Sequence, residues 1–176
     1  MFRKEVVKMS VKIIKASTKD SEIISKLHAL SWKTAYKGIV PQEYLDELKY
    51  DFWVDAFQNW ISNNILTVQL LYRNETPAGC IAYGKARDEN YLGWVEIVSI
   101  YIHPDYWRRG YGHKLLETAI LDMKKRGYQN CYLWVLRENH SAQKFYEKHG
   151  FYYNDEECIF EINNQPLTDI RYVLTL

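Results

Sequence analysis

The alternation of hydrophobic and polar residues predicts that the first third of the chain forms a strand followed by three helices. Residues 11–15 alternate apolar and basic side chains, which is typical of a half-buried strand. Thr18 or Asp20 then offers a cap for a helix that runs toward Tyr36, because the apolar residues between them lie near helical spacing. Two further helices are predicted, over residues 41–48 and 52–61.

The remaining two thirds of the chain are predicted to form strands interspersed with two helices. Predicted strands span residues 66–72, 79–85, 94–102, 132–135, 152–162 and 170–174. An apolar stripe predicts a helix over 110–125, and a second helix is predicted over 139–149. Strands and helices in this order predict an α/β (α+β) fold, in which a mixed sheet is covered by helices.

Length and composition predict one domain. The chain has 176 residues, of which 47% are hydrophobic and 15% aromatic, and this is ample for a sizeable core. No internal repeat or low-complexity linker divides it. We therefore expect a single domain over residues 9–176, with residues 1–8 as a flexible tail and Met9 as an alternative start.

Charge and hydropathy exclude several classes of protein. Lys and Arg number 23 against 22 Asp and Glu, and the formal net charge of +1 provides no field for attracting nucleic acid. Charged residues among the first ten interrupt any signal-peptide core, and no run of about 18 apolar residues could cross a membrane. The sequence therefore predicts a cytoplasmic protein without nucleic-acid or membrane partners.

The cysteines and histidines predict neither a disulfide framework nor a metal site. Cys80, Cys131 and Cys158 are odd in number and lack CxxC spacing, so we expect reduced, buried thiols. Cys131 is a conceivable acyl-accepting nucleophile, but no base is visible near it in the sequence. The five histidines show no metal-ligand spacing, and no metal is expected.

The segment IYIHPDYWRRGYGHKLL, residues 100–116, predicts an anion-binding turn. A strand leads through two glycines into a helix, and the missing side chains at Gly110 and Gly112 let backbone N–H groups approach a ligand. A pyrophosphate would fit there, with Arg108 and Arg109 beside it. Taken alone, this pattern is also that of an ordinary tight turn with two solvated arginines.

Two motifs carry a family resemblance. One family signature reads glutamine or arginine, any two residues, glycine, any residue, then glycine or alanine. Residues 107–112 match it at both glycines, and Trp107 occupies the first position. Residues 139–151, NHSAQKFYEKHGF, match a second motif, and residues 31–48, SWKTAYKGIVPQEYLDEL, match a helical entry. Over about residues 11–174 the chain resembles the GNAT acetyltransferase superfamily.

The resemblance implies a fold, a cofactor and a reaction. It implies a mostly antiparallel sheet of about seven strands with helices on both faces. It further implies an N-acetyltransferase that moves acetyl from the co-substrate acetyl-CoA to an amine of a small molecule or protein, by direct attack in a ternary complex. The residues assigned to the cofactor are Ile100, Tyr101, Ile102, Arg108, Arg109, Gly110, Tyr111, Gly112, His113, Asn139 and Tyr146. Residues 100–102 would pair with the pantetheine arm as an added strand does, and Asn139 would contact it, cap its helix, or both.

Two residues are candidates for proton transfer. An alkylammonium, with a pKa of about 10.4, must lose a proton before it attacks a thioester. The resemblance implies Glu96 as the base, acting directly or through a water, and burial between Val95 and Ile97 would raise its pKa. The alternative is that Glu96 points outward on its strand. Tyr146 resembles the family's general acid for the departing thiolate, and its helical spacing equally fits a plain core tyrosine.

The sequence leaves the acceptor and the assembly open. Aromatic and acidic residues from the early helices would suit a cationic amine, although the same pattern is typical of a core and a solvated face. These residues are Trp32, Tyr36, Tyr44, Trp53, Phe57, Glu43, Asp46 and Glu47. The aromatic content also leaves a homodimer open.

Two other classes of protein compete with the enzyme. A non-catalytic acyl-CoA sensor or regulatory module would use the same glycine turn without chemistry. A protein that binds ATP or NAD at Gly110 is disfavoured, because the chain lacks a GKS, GKT or GxGxxG sequence.

Overall fold

The computed structural model describes residues 10–176, so the tail predicted at residues 1–8 and the alternative start at Met9 lie outside the described residues. The strands are β1 (Val11–Lys15), β2 (Leu66–Arg73), β3 (Thr76–Lys85), β4 (Val95–Ile102), β5 (Asn130–Leu136), β6 (Tyr152–Ile162) and β7 (Gln165–Thr175). The α-helices are α1 (Ser21–Ala35), α2 (Gln42–Glu47), α3 (Val54–Ser62), α4 (Tyr111–Lys125) and α5 (His140–Lys148). The predicted order of elements is confirmed.

The seven strands form one sheet in the order β1-β2-β3-β4-β5-β7-β6. Every neighbouring pair is antiparallel except β4 and β5, which run parallel. Alternate side chains point to opposite faces, so Leu71 and Ile81 pack with α4 and α5, whereas Leu70 and Cys80 pack with α1 and α3. Helices therefore cover both faces, as predicted. Within residues 10–176, no helix is long and apolar enough to cross a membrane.

A bulge in β4 opens the sheet. Ala82 of β3 pairs with Ser99, and the next residue, Tyr83, pairs with Ile97, so Val98 is an extra residue in β4. Val98 packs with the α1 and α3 residues, and Ser99 also points to that face because it contacts α1. Beyond the bulge β4 no longer pairs with β5.

β4 and β5 are joined along only part of their length. Their register covers three residue pairs, from Val95 with Cys131 to Ile97 with Leu133. β5 then continues beside β7 as far as Leu136, while β4 continues beside β3 as far as Ile102. A wedge-shaped gap, called the β4–β5 gap below, therefore opens between the carboxyl ends of the two parallel strands.

His28 ties α1 to the bulge. Its Nδ1 lies 2.9 Å from the carbonyl oxygen of Ile24, and its Nε2 lies 2.9 Å from the hydroxyl of Ser99. A carbonyl only accepts, so Nδ1 carries the proton and Nε2 accepts from Ser99. Burial lowers the pKa of His28 to about 4, against the raising effect of the Ile24 hydrogen bond, and the ring is neutral at pH 7.

Two predictions about the last strands need correction. β7 begins at Gln165, five residues before the predicted start at residue 170. Its first half, QPLTD, lacks an apolar run, and it becomes a strand because Asn163 and Asn164, both with positive φ, turn it back onto β6. Cys158 was predicted to be buried, but it is exposed, because it lies on the edge strand β6.

The His28 contact generates a prediction about the pH dependence of stability. The unfolded histidine binds a proton near pH 6.5 and the folded one near pH 4, so the stability that neutral His28 provides is present above pH 6.5 and is lost as the pH falls toward 4. That loss amounts to roughly 3 kcal/mol. We expect His28→Gln to remove this slope from the free energy of unfolding, measured by urea denaturation between pH 4 and 7.5.

His140→Gln is the matched control, because His140 is exposed. It should keep the slope of the wild type. Parallel curves for the wild type and His28→Gln would contradict the assignment of the slope to His28.

Candidate active site

The turn between β4 and α4 forms a nest of backbone amides. Arg108 and Gly110 have φ values of 60° and 77°, in the left-handed region, and between them they aim successive N–H groups toward one side. Among residues 10–176, the backbone N–H groups of residues 108–113 have no acceptor. This is the arrangement that binds phosphate oxygens at the start of a helix.

Gly112 has a second role in this turn. A Cβ at this position would lie 3.3 Å from the Phe145 ring of α5. The glycine therefore lets the first turn of α4 pack closely on α5. Tyr111 is buried in the core, so it offers the turn its backbone and not its side chain.

The side chains around the turn differ in whether they already hydrogen-bond to another part of the protein. Arg108 and Arg109 are exposed, and Arg109 stands over the Tyr106 ring at 5.8 Å. His113 donates from Nδ1 to Nε2 of His149 over 2.8 Å, since His149 uses its Nδ1–H for the Phe145 carbonyl. The two arginines are thus free to meet a ligand, whereas His113 already has a protein partner.

The backbone of β4 faces the β4–β5 gap at Ile100 and Ile102. The Tyr101 carbonyl lies against Gly79 of β3, and the His103 N–H donates to the Ala78 carbonyl. Backbone groups alternate in direction along a strand, so those of Ile100 and Ile102 point away from β3. The Trp107 indole donates to the Ile102 carbonyl over 2.7 Å. Trp107, which replaces the glutamine or arginine of the signature, therefore closes the turn onto the strand.

Three tyrosines lie near the β4–β5 gap: Tyr36 and Tyr101 on the side of α1, and Tyr146 in the core on the side of α4 and α5. The Tyr36 and Tyr101 hydroxyls are 3.1 Å apart. The pKa of Tyr146 is raised, first by burial and then by the charge of Tyr36. All three tyrosines have raised pKa values with burial as the main cause, so they are neutral proton donors at pH 7.

Tyr146 differs from Tyr36 and Tyr101 in the hydrogen bonding of its hydroxyl. Its side chain is only 8% exposed and packs against Phe151 and the α4 side of the core. Among residues 10–176, its hydroxyl has no hydrogen-bond partner. Asn139, at the start of the same helix, accepts from the Ala142 N–H over 3.2 Å, and the predicted cap is confirmed.

Glu96 is buried and paired. It is 2% exposed, so it does not point outward. Its oxygens accept from the Arg87 guanidinium, with Nε at 2.8 Å, and from the Tyr132 hydroxyl at 3.0 Å. Burial raises the pKa of Glu96, but the hydrogen bonds and charge of Arg87, with Tyr132, outweigh it and hold the pKa below its usual value. The expectation of a raised pKa is therefore wrong.

A buried arginine, Arg171, extends this network toward β6. The Arg171 side chain, 3% exposed, lies 2.7 Å from Asp88 and 3.2 Å from Glu156. Its guanidinium stands 4.0 Å from the Tyr91 ring centre and 4.7 Å from that of Trp134. The network fastens the loop before β4 to β6 and β7.

Sequence reasoning missed Asp169. This half-buried residue lies on β7, beside Leu136 of β5. The pKa of Tyr36 is raised mainly by burial; the Tyr101 hydrogen bond lowers it, and the charge of Asp169 is a smaller raising effect. Burial, and then the charge of Glu138, raise the pKa of Asp169 to about 6. The signal was hidden because residues 165–169 were not predicted as a strand.

The predicted acceptor residues fall into three groups. Trp32, Tyr36 and Tyr44 pack around α2 and the ends of β5 and β7. Trp53 and Phe57 pack against α1 and α3, and Phe57 contacts the His28 ring edge-on. The three acidic residues are exposed: Glu43, Asp46 and Glu47. Only the first group borders the β4–β5 gap through Tyr36.

A sheet gap that leads to free amides at a helix N-terminus suits an extended ligand that carries phosphates. The model of the Acetyltransferase (GNAT) family matches residues 27–151, and the chain belongs to this family. It is an acyltransferase that uses acetyl-CoA.

Relatives and solved structures agree with this membership. The chain is 29% identical to a spermidine N(1)-acetyltransferase of Thermoplasma acidophilum, over 85% of this chain and 92% of that protein. It is 37% identical to the ribosomal protein bS18 alanine N-acetyltransferase of Escherichia coli, over 43% of this chain and 48% of that protein. The crystal structure of the PaiA N-acetyltransferase of Thermoplasma acidophilum in complex with coenzyme A superposes with a TM-score of 0.79, at 26% identity, over 96% of this chain and 100% of that one.

The buried pair of Arg87 and Glu96 generates a prediction about stability. Arg87→Gln leaves the Glu96 carboxylate buried without a counter-charge. The Arg87 side chain is 70% exposed, so water screens part of the effect and we expect a loss of about 2 kcal/mol in the free energy of unfolding at pH 7. The loss should shrink at pH 5, where the unpaired Glu96 binds a proton more readily.

Urea denaturation measures both values. The double variant Arg87→Gln with Glu96→Gln should recover much of the loss. Arg108→Gln, at an exposed arginine that has no salt bridge among residues 10–176, should leave stability unchanged. An Arg87→Gln variant as stable as the wild type would show that the pair contributes nothing.

Proposed function

We propose that the protein is an N-acetyltransferase that moves the acetyl group of acetyl-CoA directly to a primary amine of a small polyamine. The observation that carries this proposal is the Tyr146 hydroxyl: among residues 10–176 it has no hydrogen-bond partner, and it remains accessible on an otherwise buried side chain, beside a strand gap that continues into an amide nest. The spermidine acetyltransferase aligns with the chain over 92% of its own length, and a ribosomal-protein acetyltransferase of Haemophilus influenzae aligns over 80% of its own. We take the larger aligned share as support for a small amine, and a protein amino group is the competing acceptor.

The proposed cofactor position follows the backbone. The pyrophosphate lies on the N–H groups of residues 108–113, with Arg108 and Arg109 as flanking charges. The pantetheine arm runs along Ile100 and Ile102, whose backbone groups face the β4–β5 gap, and adds to β4 as an extra strand would. Asn139 caps α5 through its side-chain oxygen, which leaves its NH₂ group for the arm.

The proposed reaction is a single displacement at the thioester. The neutral amine nitrogen attacks the acetyl carbon, the carbon–nitrogen bond forms, and the carbon–sulfur bond then breaks. The Tyr146 hydroxyl donates its proton to the departing thiolate. Because burial raises its pKa, Tyr146 is neutral at pH 7 and keeps its proton beside the sulfur, so protonation accompanies the cleavage of the carbon–sulfur bond.

Glu96 is the base candidate that the family resemblance supplies. Both of its oxygens accept hydrogen bonds from Arg87 or Tyr132, so a direct transfer would need one of these bonds to open. Its lowered pKa also weakens it as a proton acceptor. Its proposed contribution is therefore to hold Tyr132 and Arg87 at the closed end of the gap.

Replacing the Tyr146 hydroxyl tests the acid role. We expect Tyr146→Phe to lower kcat by about 100-fold, because general acid catalysis contributes at least that much, and to leave the affinity for acetyl-CoA unchanged. Thiol release with acetyl-CoA and spermidine measures the rate, and calorimetry measures binding. Tyr152→Phe, at a tyrosine that is 59% exposed, is the control. A wild-type rate in Tyr146→Phe, with chemistry limiting, would remove the assigned role.

A charge placed in the amide nest tests the cofactor site. Gly112→Glu adds a carboxylate beside the proposed phosphates and a Cβ near Phe145, and we expect acetyl-CoA affinity to fall about 100-fold, because like charges in contact cost several kcal/mol. Calorimetric titration with acetyl-CoA measures this, with ATP and NAD as comparison ligands. Leu121→Glu adds the same charge on α4 at a side chain that is 58% exposed, and should bind normally. Equal binding by both variants would place the cofactor elsewhere.

A further inference from the structure

Asp169 lies where a second carboxylate could reach the β4–β5 gap. In β7, Leu167 packs with Tyr36 and α2, while Ile170 packs with α4 and α5. Side chains alternate along a strand, so Asp169 shares the face of Leu167 and looks toward α1 and α2. Its register partner in β5 is Leu136, the last residue of the strand that borders the gap.

Asp169 differs from the acidic residues around the ion-pair network because it is unpaired. Buried Glu96 accepts from Arg87, partly buried Asp88 from Arg171, and exposed Glu157 from Arg137. Among residues 10–176, the Asp169 carboxylate has no hydrogen bond and no ion pair. A half-buried carboxylate without a cation is costly, and an ammonium group is the ligand that would relieve that cost.

A chain of polar groups connects Asp169 to the proposed reaction centre. Its charge acts on Tyr36, whose hydroxyl lies 3.1 Å from that of Tyr101. Tyr36 in turn acts electrostatically on Tyr146, the proposed acid. Tyr36 therefore lies within electrostatic range of both the carboxylate and the proposed acid.

The groups around Asp169 favour a cation. The ionisable groups on its side of the sheet are Tyr36 from α1, Glu138 after β5, Cys158, its register partner in β6, and Arg171, two residues along β7. Arg171 is the positive group among them, and it is already paired with Asp88 and Glu156. The adjacent Arg137 is paired with Glu157. A protonated amine thus meets no unpaired positive side chain among these groups.

We propose that Asp169 binds the ammonium form of the acceptor and takes the proton that its nitrogen must lose before attack. This inference rests on the proposed function. The Asp169 carboxylate becomes a carboxylic acid, and the neutral nitrogen attacks the acetyl carbon. As the carbon–sulfur bond breaks, Tyr146 gives its proton to sulfur and recovers one from the new amide nitrogen, and Asp169 returns its proton to water.

The pKa values of Asp169 and Glu96 support Asp169, rather than Glu96, as the proposed base. The raised pKa of Asp169, about 6, leaves it mostly ionised at pH 7 yet more basic than an ordinary aspartate. Glu96 has a lowered pKa and is fully hydrogen-bonded. Asp169 is thus the better proton acceptor of the two.

The test compares Asp169→Asn with Glu96→Gln in the full chain, using acetyl-CoA and spermidine. We expect Asp169→Asn to lower kcat/KM about 100-fold at pH 7, with acetyl-CoA affinity and Tm at least equal to those of the wild type, because the replaced carboxylate has no partner to lose. The loss should shrink toward pH 9, where more of the amine is already neutral. The wild type should show an acid limb near pH 6 that the variant lacks.

Asp55→Asn, at an exposed aspartate of α3, is the control and should keep the wild-type profile. An active wild type with an unchanged Asp169→Asn profile would overturn the role of Asp169 alone, and transfer of the acid limb to Glu96→Gln would assign the base to Glu96 instead. If the wild type releases no thiol with spermidine or a panel of primary amines, the proposed function fails, and this inference fails with it.

Discussion

β4 and β5 share only three residue pairs before they separate, and the extra residue at Val98 is the reason. The bulge turns β4 away from β5, which stays with β7, and two parallel strands thereby expose backbone groups inside a sheet. Such groups need a partner or water, so the gap is an interior edge that an extended ligand can fill. His28 holds the bulge from α1, and this contact links the stability of the helix layer to the shape of the cofactor site.

On the sheet face that α1 and α3 cover, the paired charges and the unpaired charge have different roles. Glu96 and Arg171 are neutralised by close ion pairs and aromatic rings, and they join β4, β6 and β7 below the gap. Removing one partner from such a pair leaves a buried charge, so these residues constrain the fold. Asp169 lies on that face without a counter-ion, and it is therefore the carboxylate whose charge is available to a ligand.

How much of this the sequence could predict depends on how local each feature is. The glycine turn, the Asn139 cap and the inward direction of Tyr146 depend on residues within a few positions, and spacing found them. The partner of Glu96 comes from Arg87, nine residues away across an irregular loop, and no periodicity places it there. Asp169 was hidden for a different reason: the polar segment QPLTD becomes a strand only because the Asn163–Asn164 turn pairs it with β6.

The two ends of the gap carry opposite electrostatic character, and this orders the proposed ternary complex. At the α4 end, free N–H groups with Arg108 and Arg109 attract the phosphates of acetyl-CoA. At the β7 end, Asp169 and Glu138 attract a cationic amine, and among residues 10–176 no basic side chain pairs with Asp169 to compete for it. Neutral tyrosine hydroxyls lie between the two ends, where a fixed charge would favour one reactant over the other. Each reactant is thus drawn to its own end, and the thioester meets the nitrogen beside Tyr146.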